Sequence, residues 1–200
     1  IPLSDYATVK MGQSPPSEYY NDEGQGMPFI QGNRNFQNKY TNYDTHTSKI
    51  TKKAEKGDVL LSVRAPVGDV NLAPQELCIG RGIAALTSID DDNEFLFYLL
   101  KTVNFSNYES GTIFGSVNKN TIESLEVSIP VDKEHRMEIG HQLSLIDNLI
   151  DINSSINDYL IQLQNTIVGG FTATHPCEER SIYELISIKY GSPFNSSMFS

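Results

Sequence analysis

Apolar residues along this chain follow two different rhythms, and the change falls at Pro130. Before it they come in short runs broken by Gly, Pro and Asn, which predicts strands joined by turns. The clearest run spans 59–63, with Gly57 and Asp58 supplying a turn before it and residues 65–68 a turn after it. Two further strands are expected within 76–89, at ELCIG and GIAALTSI, and a last one at LEVSI just ahead of Pro130. One helix interrupts them. Asp91 and Glu94 stand at capping-box spacing before Phe95, Leu96, Tyr98, Leu99 and Leu100, so the acidic cluster of Asp90, Asp91, Asp92 and Glu94 reads as a capped helix start.

Residues 133–168 contain no Pro, and Leu145, Leu149, Ile152, Ile156, Tyr159 and Leu163 follow in steps of 4, 3, 4, 3 and 4, the heptad seam of a coiled coil. A second row, Ile139, Leu143, Ile146 and Ile150, widens the stripe in its first half. Such a helix would be roughly 54 Å long, more than the preceding domain can cover, so it calls for a partner helix. The alternative is a single amphipathic helix lying along its own domain. Asp132 can cap its start, and Gly169 with Gly170 can end it. The predicted class is α+β: a strand-rich domain over 1–131, a long coiled-coil-forming helix over 132–169, a linker over 170–180 and a truncated second repeat over 181–200.

That repeat is visible in the residues themselves. SIYELISIKYGSPFNSSMFS is a version of IPLSDYATVKMGQSPPSEYY: Gly191 answers Gly12, while Ile182, Ile188 and Lys189 answer Leu3, Val9 and Lys10. Ser192 and Pro193 answer Ser14 and Pro15 after a one-residue gap. With Ile1 rather than Met first and no signal-peptide pattern, the chain reads as a piece of a tandem duplication, cut just inside the second copy.

Composition narrows the function classes. Apolar runs fall far short of the roughly 18–20 residues that span a bilayer, which argues against membrane insertion. Cys78 and Cys177 form no CxxC pair, so neither a disulfide framework nor a cysteine zinc site is suggested, and a cytoplasmic location is expected. Taken as a total, the net charge of −10 opposes a polyanionic partner. Its distribution reverses that reading, because residues 33–66 carry +4 while 1–32 carry −3 and 67–200 carry −11. The basic segment holds Arg34, Lys39, Lys49, Lys52, Lys53, Lys56 and Arg64, interleaved with Phe36, Tyr40 and Tyr43, and is either a polyanion-binding face or a solvated loop.

Catalytic motifs are absent from the sequence. There is no glycine-rich cofactor turn with an Asn- or Asp-Pro-Pro-aromatic element, no Walker loop and no nucleophile elbow. His135 and His141 are six apart, on different helical faces, which disfavours a metal site. A non-catalytic chain without cofactor or metal is expected.

Three blocks together resemble the DNA specificity subunit of type I restriction-modification systems: VKMGQSPPSEYYN with PFIQGN; KKAEKGDVLLSVRAPVGDVNLAPQELCIGRGIAAL; and SGTIFGSVNKNTIESLEVSIPVDKEHRMEIGHQLSLIDNLI. They cover most of residues 9–150. One departure is at PVDKEHRMEIG, where His135 and Arg136 follow Glu134 and the family usually has Glu-Gln; little effect on the fold is expected. The resemblance implies two target recognition domains per full protein, each followed by a long helix, the helices packing antiparallel to space two half-sites on double-stranded DNA. This chain would supply the first domain and helix, and partners would be the methyltransferase (M) and restriction (R) subunits. A homodimer through the helix, on the seam of Leu145, Leu149, Ile152, Ile156, Tyr159 and Leu163, would imitate the full protein.

Base readout favours Arg or Lys against guanine and Asn or Gln against adenine, while phosphate contacts fix register. Two loops offer those side chains. The first contains Gln31, Asn33, Arg34, Asn35 and Lys39; the second contains Thr112, Ser116, Asn118 and Lys119. Lys52, Lys53 and Arg64 complete the expected DNA-binding set. Arg64 and Arg81, beside strands, could equally be structural ion-pair partners. The competing class is an assembly protein in which the rod is the function and the basic loops are incidental.

Overall fold

The computed structural model describes residues 1–105 and 116–187. It divides into two units, Ile1–Asp151 and Ile152–Ser200, and confirms the α+β class. In the first unit, strands β1 (Ala7–Met11), β6 (Val59–Ser62), β7 (Val70–Leu72) and β9 (Ile83–Ser88) form an antiparallel sheet in the order β1-β9-β6-β7. A second sheet joins β2 (Tyr20–Asn21), β3 (Met27–Ile30), β4 (His46–Thr47), β5 (Lys53–Ala54) and β8 (Leu77–Ile79) in the order β2-β4-β3-β8-β5. Its β3–β8 pair is parallel and its other pairs are antiparallel.

The apolar run of β6 at 59–61 follows from burial on both faces, and the buried Ser62 that ends the strand is satisfied by donating to Pro66 O at 2.8 Å and accepting from Asp69 N at 3.0 Å. Val59 and Leu61 of β6 enter a cluster with Tyr6, Leu86, Leu96, Phe97 and Ile122, while Leu60 enters a second cluster with Ile30, Leu77, Ile79 and Ile83. Successive side chains of a strand point to opposite faces, so a strand covered twice favours apolar residues on both, as at Val59, Leu60 and Leu61. β7 escaped the sequence reading because its centre is polar. Asn71 is buried there, with Oδ1 accepting from Gln37 N at 3.1 Å and Nδ2 donating to Gln37 O at 2.7 Å.

LEVSI does not become a sheet strand. Among the described residues its main chain bridges to the N-terminus, through a Pro2–Glu126 bridge flanked by Leu3 N donating to Leu125 O at 2.8 Å and Val127 N to Ile1 O at 2.9 Å, while Leu125 and Val127 enter the first core cluster. Between them Pro2 has no N–H to extend the ladder. Helix α2 (Lys119–Glu123) precedes this segment.

The acidic cluster does not cap its helix by side chains. Helix α1 (Asn93–Lys101) starts after Asp92, whose side chain makes no capping bond, and Asp91 lies in the left-handed region at φ 60°. The Asp92 carboxylate is instead completely buried and receives the Tyr6 hydroxyl at 2.6 Å, the Ser88 hydroxyl and Arg136 Nε at 2.6 Å. Burial opposes its charge, but the bonds from Ser88, Tyr6 and Arg136 outweigh that and hold its pKa below the usual 3.8.

Arg136 belongs to helix α3 (Lys133–Thr174) and is 3% exposed. It also donates to Asp90 Oδ2 at 2.5 Å, Pro130 O at 2.8 Å and Val131 O at 3.0 Å. The departure expected to matter little therefore supplies the helix's deepest anchor. Gly140 and Ser144, one and two turns on, complete the buried row of α3. A Cβ on Gly140 would lie 2.7 Å from Phe95 N, so that position sets how closely α3 approaches α1. Within the first unit the helix packs on its domain by this row of Arg, Gly and Ser, while Leu145 and Leu149 of the apolar seam stay exposed.

In the second unit α3 continues through Gly169 and Gly170 to Thr174, five residues past the expected end at 169 and into the span expected as a linker. A short helix α4 (Ile182–Leu185) follows. Of the matched repeat positions, Ile188, Lys189, Gly191, Ser192 and Pro193 lie outside the described residues.

Candidate nucleic-acid interface

The strand directions bring four separate segments to one edge of the first unit. β3 and β8 run parallel, so both end there, and β9 runs antiparallel to β6, so it starts where β6 stops. A row of main-chain bonds then stitches the segments together. Gly82 N donates to Gln31 O at 3.1 Å, Val63 N to Gly82 O at 2.9 Å and Val117 N to Val63 O at 3.0 Å, while Arg64 and Ser116 form a β-bridge. Gln31, Arg64 and Ser116, distant in sequence, thus stand side by side, and all three are exposed. Asn118 and Lys119, also exposed, follow directly.

The first loop forms a 3-10 turn over Asn33–Asn35 beside a cleft of about 500 Å³, lined by Tyr20, Phe29, Gln31, Arg34 and Thr45 among others. Its side chains are already organised. Arg34 grips Asp44 with one terminal nitrogen, at 2.8 and 3.0 Å from the two oxygens, and its Nε donates to Asn35 Oδ1 at 3.2 Å. Against the cost of desolvation, Thr45, Asn35 and the Arg34 charge hold the Asp44 pKa below its ordinary value. Asn33 Nδ2 donates to Asp69 Oδ2 at 2.5 Å. A guanidinium so neutralised offers orientation and spare donors rather than net positive charge, which suits a base edge better than a phosphate.

Lys39 does not belong to this face. It is 3% exposed, and its ammonium lies 2.5 Å from Ser144 Oγ and 3.5 Å from Glu94, so it roots the loop on α3 from inside. Asn118 serves as the N-cap of α2, accepting from Thr121 N at 3.0 Å, and Lys119 pairs with Glu123 at 3.3 Å. Lys53 is held by Glu76 at 3.1 Å, which with Glu55 raises its pKa, whereas neighbouring Lys52 is exposed. Thr112 lies outside the described residues. Asp44, Asp69 and Glu94 were not anticipated as partners, since nothing in their spacing marks them as facing Arg34, Asn33 and Lys39.

Along α3 every seam residue is uncovered. Leu145 and Leu149 are 43% and 59% exposed in the first unit, and Ile152, Ile156, Tyr159 and Leu163 are exposed in the second. Because α3 meets its domain through Arg136, Gly140 and Ser144, the seam within the first unit does not lie on that domain. Among the described residues no group of three or more metal-ligating side chains is assembled, and no helix is long and apolar enough to cross a membrane.

Residues 1–162 match the family model of the type I restriction modification DNA specificity domain. A Methanocaldococcus jannaschii protein provisionally named the type I restriction enzyme MjaX specificity subunit is 40% identical over 168 residues, covering 82% of this chain and 39% of its own length. The MjaIX specificity subunit of the same organism is 27% identical over 172 residues, covering 79% and 40%. The chain thus spans about two fifths of these relatives. Among solved structures, the HsdS subunit of Thermoanaerobacter tengcongensis superposes with a TM-score of 0.64 at 34% identity, covering 76% of this chain and 38% of that one. A chain from a study of assembly and conformational transition of the type I R-M system gives 0.68 at 32%, covering 84% and 44%. The S subunit of M. genitalium, at 0.63 and 19%, covering 82% and 43%, shares the fold.

Proposed function

Since this chain belongs to the family of type I restriction modification DNA specificity domains, we propose that its first unit reads one half of a bipartite double-stranded DNA site for a restriction-modification complex. It does so without catalysis of its own, presenting the site to methyltransferase and restriction subunits in the cytoplasm. The observation that carries this reading is the stitched edge, which gathers Gln31, Arg64 and Ser116 from three distant segments, beside the Asn33–Asn35 turn, on one exposed face. Uncharged readers there, with Arg64, which has no carboxylate partner among the described residues, answer the two needs of recognition, base edges and phosphates. The acidic remainder is left for subunits or solvent. The uncovered heptad seam is the surface for a second helix of its own kind, from the same protein or from a second copy.

Fluorescence anisotropy with a mixed pool of duplexes, with and without the modification subunits, tests the reading. Salt-dependent binding that narrows to a subset of sequences is expected. Assembly with the subunits and no DNA binding at any salt would make the chain an assembly protein instead.

A further inference from the structure

Arg81 stands at the corner of the turn that carries the chain from one sheet to the other. Ile83 N donates to Gly80 O at 3.0 Å, closing a β-turn between β8 and β9 with Arg81 in its second position. The turn is held from several sides. Gly80 N donates to Ile30 O at 2.8 Å, Gly82 N to Gln31 O at 3.1 Å, and Arg81 N to Ser14 Oγ at 3.2 Å, while Gly82 O accepts from Val63. The two glycines permit this crowding: a Cβ at Gly80 would lie 2.9 Å from Gln31 Cα, and one at Gly82 would lie 2.5 Å from Gln31 O. Main chain that dense leaves the turn little freedom, yet the residue at its tip is exposed.

Its charge is also unspent. Four cations expected to bind DNA are already paired, Arg34 with Asp44 at 2.8 Å, Lys39 with Glu94 at 3.5 Å, Lys53 with Glu76 at 3.1 Å and Lys119 with Glu123 at 3.3 Å. No carboxylate among the described residues lies within ion-pair distance of Arg81. An Arg kept as a structural ion-pair partner would show one. A cation whose main chain is held before contact loses less freedom on binding than one on a loose loop, and one without a carboxylate brings its whole charge to a phosphate.

We propose that Arg81 is a phosphate contact of the recognition face, a positive side chain on a held main-chain turn that registers the double helix against the Gln31 and Arg64 segments. This deepens the DNA-recognition reading and rests on it. The test uses the full chain assembled with the modification subunits, titrated with cognate and non-cognate duplexes across a salt series. Arg81→Ala should weaken both duplexes alike by about tenfold and reduce the slope of log affinity against log salt by about one. Arg81→Lys should keep most of the slope, and Lys133→Ala, which also removes one charge but at the start of α3, should match wild type. Unchanged affinity and slope in Arg81→Ala would overturn the proposal while wild-type binding leaves the DNA reading intact, as would a loss confined to the cognate duplex. A wild-type complex that binds no DNA would remove the reading itself. Circular dichroism on each variant separates misfolding from lost contact, and should Arg81→Ala fail to fold, the Arg81→Lys and Arg81→Gln pair carries the same comparison.

Discussion

Arg136→Ala would remove the side chain that ties the first turns of α3 to the domain, and the cost can be worked from its surroundings. The guanidinium donates to two carboxylates and two carbonyls and lies 5.4 Å from the centre of the Tyr6 ring. Its side chain is 4% exposed and that of Asp92 0%. Truncation would leave the Asp92 charge buried with only the Tyr6 and Ser88 hydroxyls. Breaking a buried pair in this way costs about 3–5 kcal/mol. For a unit of this size each kcal/mol lowers the melting temperature by about 2–4 °C, so a fall of about 6–20 °C is expected. Thermal unfolding followed by circular dichroism at neutral pH measures it. Adding Asp92→Asn with Arg136→Met should recover part of the loss, because no charge then remains unpaired. A melting temperature for Arg136→Ala within about 2 °C of wild type would refute the reasoning and mean that water reaches the pair.

Because the folded Asp92 pKa lies below 3.8, its stabilisation is complete above that value and is lost as pH falls through the folded one; Asp92→Asn should therefore flatten the acid limb of a stability-versus-pH curve below pH 3.8. Gly140→Ala should cost about 1–3 kcal/mol in urea unfolding, since its Cβ would press on the α1 main chain. Sedimentation at micromolar concentration should report a dimer of this chain, and Ile152→Asp with Ile156→Asp should give a folded monomer; a monomeric wild type would mean that the seam has no partner in a second copy.

What could be read from the sequence was whatever repeats at a fixed period. The seam from Leu145 to Leu163 announces itself because apolar residues recur every three or four positions, and β6 because burial on both faces places Val59, Leu60 and Leu61 in succession. The row that attaches α3 to its domain was invisible for the opposite reason: Arg136, Gly140 and Ser144 resemble a solvent-facing stripe, and only their distant neighbours, Asp92 for Arg136, the start of α1 for Gly140 and Lys39 with Glu94 for Ser144, make them interior. Asp92 itself was misread because an acid before an apolar helix usually caps it. Lys39 looked like its neighbours Asn35 and Gln37, since burial of a lysine depends on a hydroxyl and a carboxylate more than 50 positions away. The edge that gathers Gln31, Arg64 and Ser116 depends on parallel pairing of β3 with β8, which no local pattern encodes.

The loop bearing Asn33, Arg34 and Asn35 is fastened to α3 at two points, Lys39 on Ser144 and Asn38 on Asp151, the latter at 3.1 Å. This sets where the gene can be cut and rejoined. A chimaera joined at residue 132, where the sequence alone would place the seam between modules, would inherit its loop from one parent and the two anchoring positions from the other. Joining beyond residue 151 keeps loop and footing together, so exchange between relatives should tolerate crossovers there and penalise those made a few turns earlier.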